Sequence, residues 1–498
     1  MEAMKEVPIT SKTSFDHDEN SSDNVIDVDG RESDEMLARK LRRRIDIRLL
    51  PVLTILYLFS YIDRSNIANA RIAGLDTDLG LTDKQYNNCL MIFFFPYALF
   101  EVPSNMMLKR FRPSVWLPVI VLIWGISMTL MGIVRNYSGL LATRFFLGVG
   151  EAGFFPGASF ILTQWYCRHE MQTRLAVFFC AASLAGAFSG FLAFALMKMD
   201  GVGGLEGWRW IFLIEGLATV FLGLILPFIL IDFPETAKFM TKDEKEFYSK
   251  RIKADYHVGA DEGNQFKWKF LRAALFDLKI WLGFLVSLAN GITGYGFVFS
   301  MPTAIRQLGY SASNAQLLTI PVYFTGLIST MIISPLADKY RKRSPFIIYP
   351  LSLAAAGFIT VMALPKTKWP GARYGALFPI AAGIYPALPS LVTWNANNLA
   401  GSWKRAIGVA LQLTLGNLGG VAASHIFIAS EAPEYWTGYG VSFAILMVSI
   451  GSAVLLRFLL DRWNKQREKM TPEEISAKYT PEQLADMGDY SPHFRYTL

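Results

Sequence analysis

Apolar residues in this chain come in runs of about 20, parted by short polar segments. A run of that length is what a helix rising ~1.5 Å per residue needs to cross a hydrocarbon layer ~30 Å thick. Twelve such runs can be read, with centres near Phe59, Ala98, Ile126, Val149, Ala185, Leu222, Asn290, Thr325, Gly357, Pro386, Gly416 and Met447. Lipid offers the backbone no water to bond to, so each run is predicted to be a helix and the chain an all-α polytopic membrane protein. Residues 1–38 break the pattern: Asp16, Asp18, Glu19, Asp23, Asp27 and Asp29 stand among serines and asparagines, which reads as a disordered tail. That polar start resembles no cleavable signal peptide, so the first run is expected to be its own insertion signal.

One polar stretch, about 232–278, is much longer than the others and separates six runs from six. Within it Thr241 followed by Glu244 has capping-box spacing and predicts a helix over about 242–253. The two sixes look alike. Pro103 to Pro113 encloses Lys109 and Arg110, and 232 positions later Pro335 to Pro345 encloses Arg341 and Lys342. The predicted organisation is therefore a tail (1–38), a six-helix bundle (39–231), a linker with a short helix (232–278), a second, parallel six-helix repeat (279–462) and a C-terminal tail (463–498). Two parallel six-helix repeats with binding at their interface are one of the architectures of secondary transporters.

Composition supports the membrane reading, with 52% hydrophobic residues and a mean hydropathy of +0.30. The net charge of +7 does not point to nucleic acid, because the basic residues cluster beside the ends of the apolar runs. Arg39, Lys40, Arg42, Arg43, Arg44 and Arg48 abut the first run. Lys109, Arg110, Arg112, Arg168, Arg174, Lys339, Arg341, Lys342, Arg343, Lys404 and Arg405 lie in alternate connections, and Arg462, Lys465, Arg467 and Lys469 follow the last run. By the positive-inside rule both tails are expected in the cytoplasm, although Lys366, Lys368 and Arg373 run against it. A plasma-membrane location follows as an expectation. Cys89, Cys167 and Cys180 form neither a disulfide nor a metal framework. No nucleotide loop, metal cluster or nucleophilic triad is present, so an enzyme and a bound cofactor are not expected. The expected partners are a small solute, protons and the bilayer, with the chain working as a monomer.

Charge inside the runs is the exception that carries chemistry. An ionisable residue at membrane depth costs about 2.5–3.5 kcal/mol on insertion scales, so it is expected to face a cavity or a partner. The run from 140 to 165 holds Arg144 and Glu151. They are two turns apart on one helix face, roughly 10 Å along the axis. Gly148, Gly150, Gly153 and Gly157 in the same run let neighbouring helices come close. Elsewhere, Glu101 is expected to pair with a loop base, Glu215 with Arg209 as a structural pair, and His425 to be a satisfied core histidine. In the second repeat Asn290, Tyr295, Trp394, Asn395, Asn398, Gln412 and Asn417 are candidates for contacting a solute, each also able to serve as polar contact between helices. The repeat offset aligns Asp63 with Tyr295 and Glu151 with Gly383, which puts charge on the first repeat and shape selection on the second.

Four segments carry a resemblance: Tyr61-Ile-Asp63-Arg64-Ser-Asn66-Ile, Phe100-Glu-Val-Pro103-Ser-Asn105, Arg144 to Gly157, and Gly207-Trp208-Arg209-Trp-Ile-Phe212. From about Arg42 to Arg462 the chain resembles the anion:cation symporter family of the major facilitator superfamily, and within it fungal allantoate, nicotinate and related carboxylate permeases. The turn Ser334-Pro-Leu-Ala-Asp338-Lys-Tyr-Arg341-Lys-Arg343 resembles the superfamily's Asp/Arg loop motif; the first-repeat copy, Asn105 to Arg112, lacks its aspartate. The resemblance implies the major facilitator fold and proton-coupled uptake of an organic anion. It implies Asp63 and Glu151 as proton carriers, Arg64 as the group that meets the substrate carboxylate, Arg144 as the partner of an acid, and Tyr61 and Tyr97 as cavity lining. A guanidinium suits a carboxylate because it binds it bidentately and stays charged. The competing readings are an exporter of a metabolite or drug by proton antiport, and a nutrient receptor. Ala185-Gly186-Ala-Phe-Ser-Gly190 lacks the proline usual in the fifth span of such antiporters, and the C-terminal extension is short for a receptor.

Overall fold

The computed structural model describes residues 21–257, 268–340, 342–364, 368–400, 402–432, 434–480, 483–484 and 487–498. Among these, twelve helices are long and apolar enough to cross a membrane: Asp34–Ile72, Asp83–Leu108, Pro113–Met131, Tyr137–Trp165, Cys180–Met199, Gly207–Ile229, Leu278–Gln307, Ala312–Tyr340, Pro345–Ala363, Pro370–Asn397, Ile407–Ile426 and Trp436–Glu468. They are the first to twelfth spans below, and each expected centre falls inside its own span.

The helix containing the first span begins at Ser21, inside the stretch expected to be disordered, and residues 1–20 lie outside the described residues. Lys366 and Arg341, both used above to weigh orientation, also lie outside them.

The repeat is visible in how helices start and pack. The third and ninth spans are each 19 residues long and open on Pro113 and Pro345 at the first helical turn, where the missing N–H has no partner to lose. The third packs against the fourth and sixth, and the ninth against the tenth and twelfth. The fifth and eighth spans pack together across the two repeats. Asp277 caps the seventh span through Lys279 N, and Thr82 with Gln85 forms a capping box at the second.

Several spans are not continuous helices, and three of the interruptions concern the centre of the bundle. Regular α-helix stops at Met91 and resumes at Phe94 in the second, stops at Glu151 and resumes at Phe154 in the fourth, and stops at Asn417 and resumes at Gly419 in the eleventh. These three border Phe93, Glu151 and Asn417 of the central site.

In the linker, Thr241 and Glu244 make the expected box, and the helix they start runs Lys242–His257. It docks at one end of the bundle, where Tyr248 donates to Trp165 O at 2.8 Å and Arg251 pairs with Glu170 at 2.7 Å. This is called the linker end below. A second short helix, Trp268–Leu275, leads into the seventh span. At the same end Asp338 and Arg343 of the loop motif form an ion pair, 2.5 Å apart.

Candidate functional site

Two glycines of the fourth span position the centre. A Cβ on Gly148 would collide with Phe93 O and one on Gly150 would lie 2.7 Å from Trp124 N, so the second and third spans approach the fourth backbone to backbone. Phe93 and Trp124 are thereby held against the charged residues.

Arg64, 5% exposed, is the hub. Its Nη2 donates to Glu151 Oε2 at 2.6 Å and its Nε to the same oxygen at 3.2 Å; Ser60 Oγ also donates there, at 3.1 Å. The third nitrogen, Nη1, reaches across to the second repeat and donates to Tyr295 Oη at 2.8 Å, and that hydroxyl passes a bond to Asn417 Oδ1 at 2.9 Å. Four rings surround the guanidinium carbon at 4.9–5.9 Å from their centres: Phe93, Tyr61, Tyr97 and Tyr295. A cation in such a cage is stabilised by the ring faces as well as by its carboxylate. Glu151 Oε1 has no hydrogen-bond partner.

The neighbours in sequence go elsewhere. Asp63 does not pair with Arg64: its Oδ2 accepts from Trp124 Nε1 at 2.9 Å and from Thr219 Oγ1 at 3.0 Å, between the third and sixth spans. Residues adjacent on a helix point about 100° apart, which is why the Asp-Arg dipeptide divides. Arg144 does not reach a carboxylate either. Its Nε donates to Cys89 O at 3.1 Å, where the second span's helix is about to break, and its guanidinium lies over the ring of Phe93 at 5.2 Å. Both its terminal nitrogens are buried without hydrogen-bond partners.

Of the second-repeat candidates, Tyr295 and Asn417 join the centre. Asn290 donates to Ile384 O at 3.3 Å, and Asn395 donates to Gln412 Oε1 at 2.6 Å, tying the tenth span to the eleventh. Trp394 and Asn398 are at the linker end and hold the C-terminal segment: Trp394 Nε1 and Asn398 Nδ2 both donate to Thr497 O, at 2.8 and 3.0 Å.

Three secondary expectations are also corrected. Glu101 accepts from Thr414 Oγ1 at 2.9 Å rather than from a base. Arg209 pairs with Asp78 and Glu206, while Glu215 accepts from Asn66 Nδ2 at 2.5 Å. His425 is exposed, its Nε2 3.4 Å from Asn88 Oδ1. Sequence reading missed Ser60, Phe93, Trp124 and Thr219, residue types common in any apolar run.

Residues 53–424 match the Major Facilitator Superfamily. The chain belongs to that superfamily. Among curated relatives it is 38% identical to "MFS-type transporter cnsO" of Penicillium expansum, over 92% of this chain and 90% of that one. It is 30% identical to "Major facilitator-type transporter hxnP" of Emericella nidulans, over 92% of each. Solved structures share the fold at low identity. A bacterial homolog of the human lysosomal transporter Spinster, inward-facing and occupied, is 18% identical with a TM-score of 0.62, covering 82% of this chain and 96% of that one. The xylose transporter XylE from E. coli is 14% identical with a TM-score of 0.59, covering 84% and 97%. The protein is therefore a multi-pass secondary transporter of a small solute and not an enzyme.

Proposed function

We propose that this transporter takes up a small organic anion together with protons, in the manner of the anion:cation symporters it resembles. The observation that carries the reading is the buried Arg64–Glu151 pair, bonded through Tyr295 to the second repeat. Arg64 turns its Nε and Nη2 toward Glu151, and an entering carboxylate competes for that same fork. Once Arg64 holds the substrate, Glu151 is a carboxylate at membrane depth with only Ser60 as a donor, and an unpaired charge there is costly, so it takes up a proton. Substrate and proton then load together by competition for one guanidinium. Asp63 is the second proton carrier in this scheme. Tyr61 and Tyr97 close around the carboxylate; Asn290, Asn395 and Gln412 shape the second-repeat side; and Arg144 supplies a fixed positive charge behind Phe93. Both tails face the cytoplasm of a plasma-membrane protein that works as a monomer.

The test uses purified protein in liposomes and a labelled carboxylate chosen by a growth screen over nicotinate, allantoate and related acids. Wild-type protein should concentrate it when the outside is acidified. Glu151→Gln should lose concentrative uptake and keep one-for-one exchange. Continued accumulation by Glu151→Gln removes Glu151 from coupling, and transport that runs only outward against entering protons replaces uptake with export. Moving one charge through 100 mV is worth about 2.3 kcal/mol. An inside-negative potential should therefore speed uptake of a monoanion if two protons accompany it.

A further inference from the structure

Among the described residues, Asp63 and Glu215 are two carboxylates of the first repeat that are almost fully buried and meet no cation. Arg64 is engaged by Glu151, and Arg144 bonds a backbone carbonyl, so the side chains that donate to Asp63 and Glu215 are Trp124, Thr219 and Asn66 rather than a guanidinium. Both are buried, at 0% and 3% exposure, and each has one oxygen, Asp63 Oδ1 and Glu215 Oε1, with no hydrogen-bond partner. They share a seam. Asp63 accepts from Thr219 of the sixth span, while Asn66, three residues along the first span, donates to Glu215, four residues before Thr219. Two such bonds between antiparallel helices bring the acids to roughly 5 Å of each other along the helix axes.

The seam leads to a small cavity. Asn66 also accepts from Ser189 Oγ at 3.1 Å, and Ser189 accepts from Asn69 and Ser65 at 2.7 and 3.0 Å. Ser189, Asn69 and Ser65 line a cavity between the repeats, closed on the far side by Thr319 and Tyr323. Glu215 is thus two hydrogen bonds from a polar space large enough for water.

Two desolvated carboxylates about one helical turn apart on facing helices, without a cation, cannot both be charged at acceptable cost, so the pair favours holding one proton between them. We propose that Asp63 and Glu215 form a single proton-binding site, separate from the Arg64–Glu151 pair, with Glu215 as the partner that keeps the proton on Asp63. The further ionisable group that faces it is Glu151 of the fourth span; the first, third, fifth and sixth spans offer Asn66, Trp124, Ser189 and Thr219, which do not titrate. The site does not depend on which solute is carried, nor on Glu151 being a proton carrier.

Infrared spectra of the purified full-length protein in lipid, in water and heavy water, read protonated carboxyl groups directly. Wild-type protein at neutral pH should show a protonated-carboxyl band that Glu151→Gln leaves in place. Asp63→Asn and Glu215→Gln should each remove or displace it, and Glu215→Asp, the variant that keeps the acid, should retain a displaced band. The double variant should lose no more than either single one, because one proton is shared. A band unmoved by Glu215→Gln, absent from wild type, or lost additively in the double variant overturns the proposal. Loss in Glu151→Gln alone would place the proton on Glu151 instead.

Discussion

The two repeats share a fold and differ in where they bury charge. The first holds Asp63, Arg64, Arg144, Glu151 and Glu215 in its spans, all at 5% exposure or less. The second places hydroxyls and amides there, among them Tyr295, Asn290, Gln412 and Asn417. Four buried charges gather at its linker end, where Lys279 and Lys404 face Asp277 and Asp489. That second cluster fastens the C-terminal segment. Tyr496 Oη lies 3.2 Å from Lys279 Nζ, Asn464 and Tyr496 exchange bonds at 2.9 Å, and Leu498 O accepts from Arg343 N at 2.6 Å. The contrast separates two uses of buried charge. The clasp of the second repeat pairs every ion with opposite ions and is suited to holding. The first repeat leaves Arg144 nitrogens and three carboxylate oxygens unpartnered, which is the condition for exchanging partners.

The sharpest way to break this comparison is to orphan one charge in each repeat. Arg64→Met leaves Glu151 buried without a cation, and stability in mixed-micelle unfolding should fall by about 3–5 kcal/mol. Adding Glu151→Gln should restore most of that loss without restoring transport. If the double variant is as unstable as the single one, the pair matters for packing rather than charge. In the second repeat Asp489→Ala still leaves Asp277 to face both lysines, so the loss should be smaller, about 2 kcal/mol, with solute exchange preserved. Loss of exchange by Asp489→Ala would make the clasp part of the transport cycle. Tyr295→Phe removes a hydroxyl that joins the repeats through Arg64 in the solute-free protein, and at about 1.5 kcal/mol for a bond to a charged group the unfolding free energy should fall by that amount, less than for either charge variant.

The smallest effect is a pH dependence at the clasp. Burial alone would raise the carboxyl of Asp277, but Lys279 and Lys404 outweigh it and hold it below the usual aspartate range. A depressed acid stabilises the fold above its unfolded value, about 3.9, and loses that contribution as pH falls further. The thermal stability of wild-type protein should thus decline below about pH 4 with a component that Asp277→Asn lacks.

The expected linker helix and the positions of the twelve spans were legible because each depends on local pattern: run length against membrane thickness, and a capping box three residues wide. The site was legible only as a set of residues. Charge within an apolar run singled out Arg144 and Glu151 and the family resemblance added Asp63 and Arg64, yet neither could say which cation meets which acid. Trp394 and Asn398 show the opposite failure, since they read as solute contacts and instead hold Thr497, a residue about a hundred positions away.

The sequence by itself determined the helices, their number, the repeat and the short list of charges, since hydrophobicity, caps and prolines act within a turn or a run. Only the tertiary structure decided the partners. Gly148 and Gly150 let the second and third spans close in, a one-residue step round the first helix sent Asp63 toward Thr219 and Arg64 toward Glu151, and Asn66 brought Glu215 beside Asp63. These pairings join residues up to 156 positions apart, and the bond from Arg64 to Tyr295 spans 231. They follow from how faces of different helices meet, a property that no single run of sequence contains.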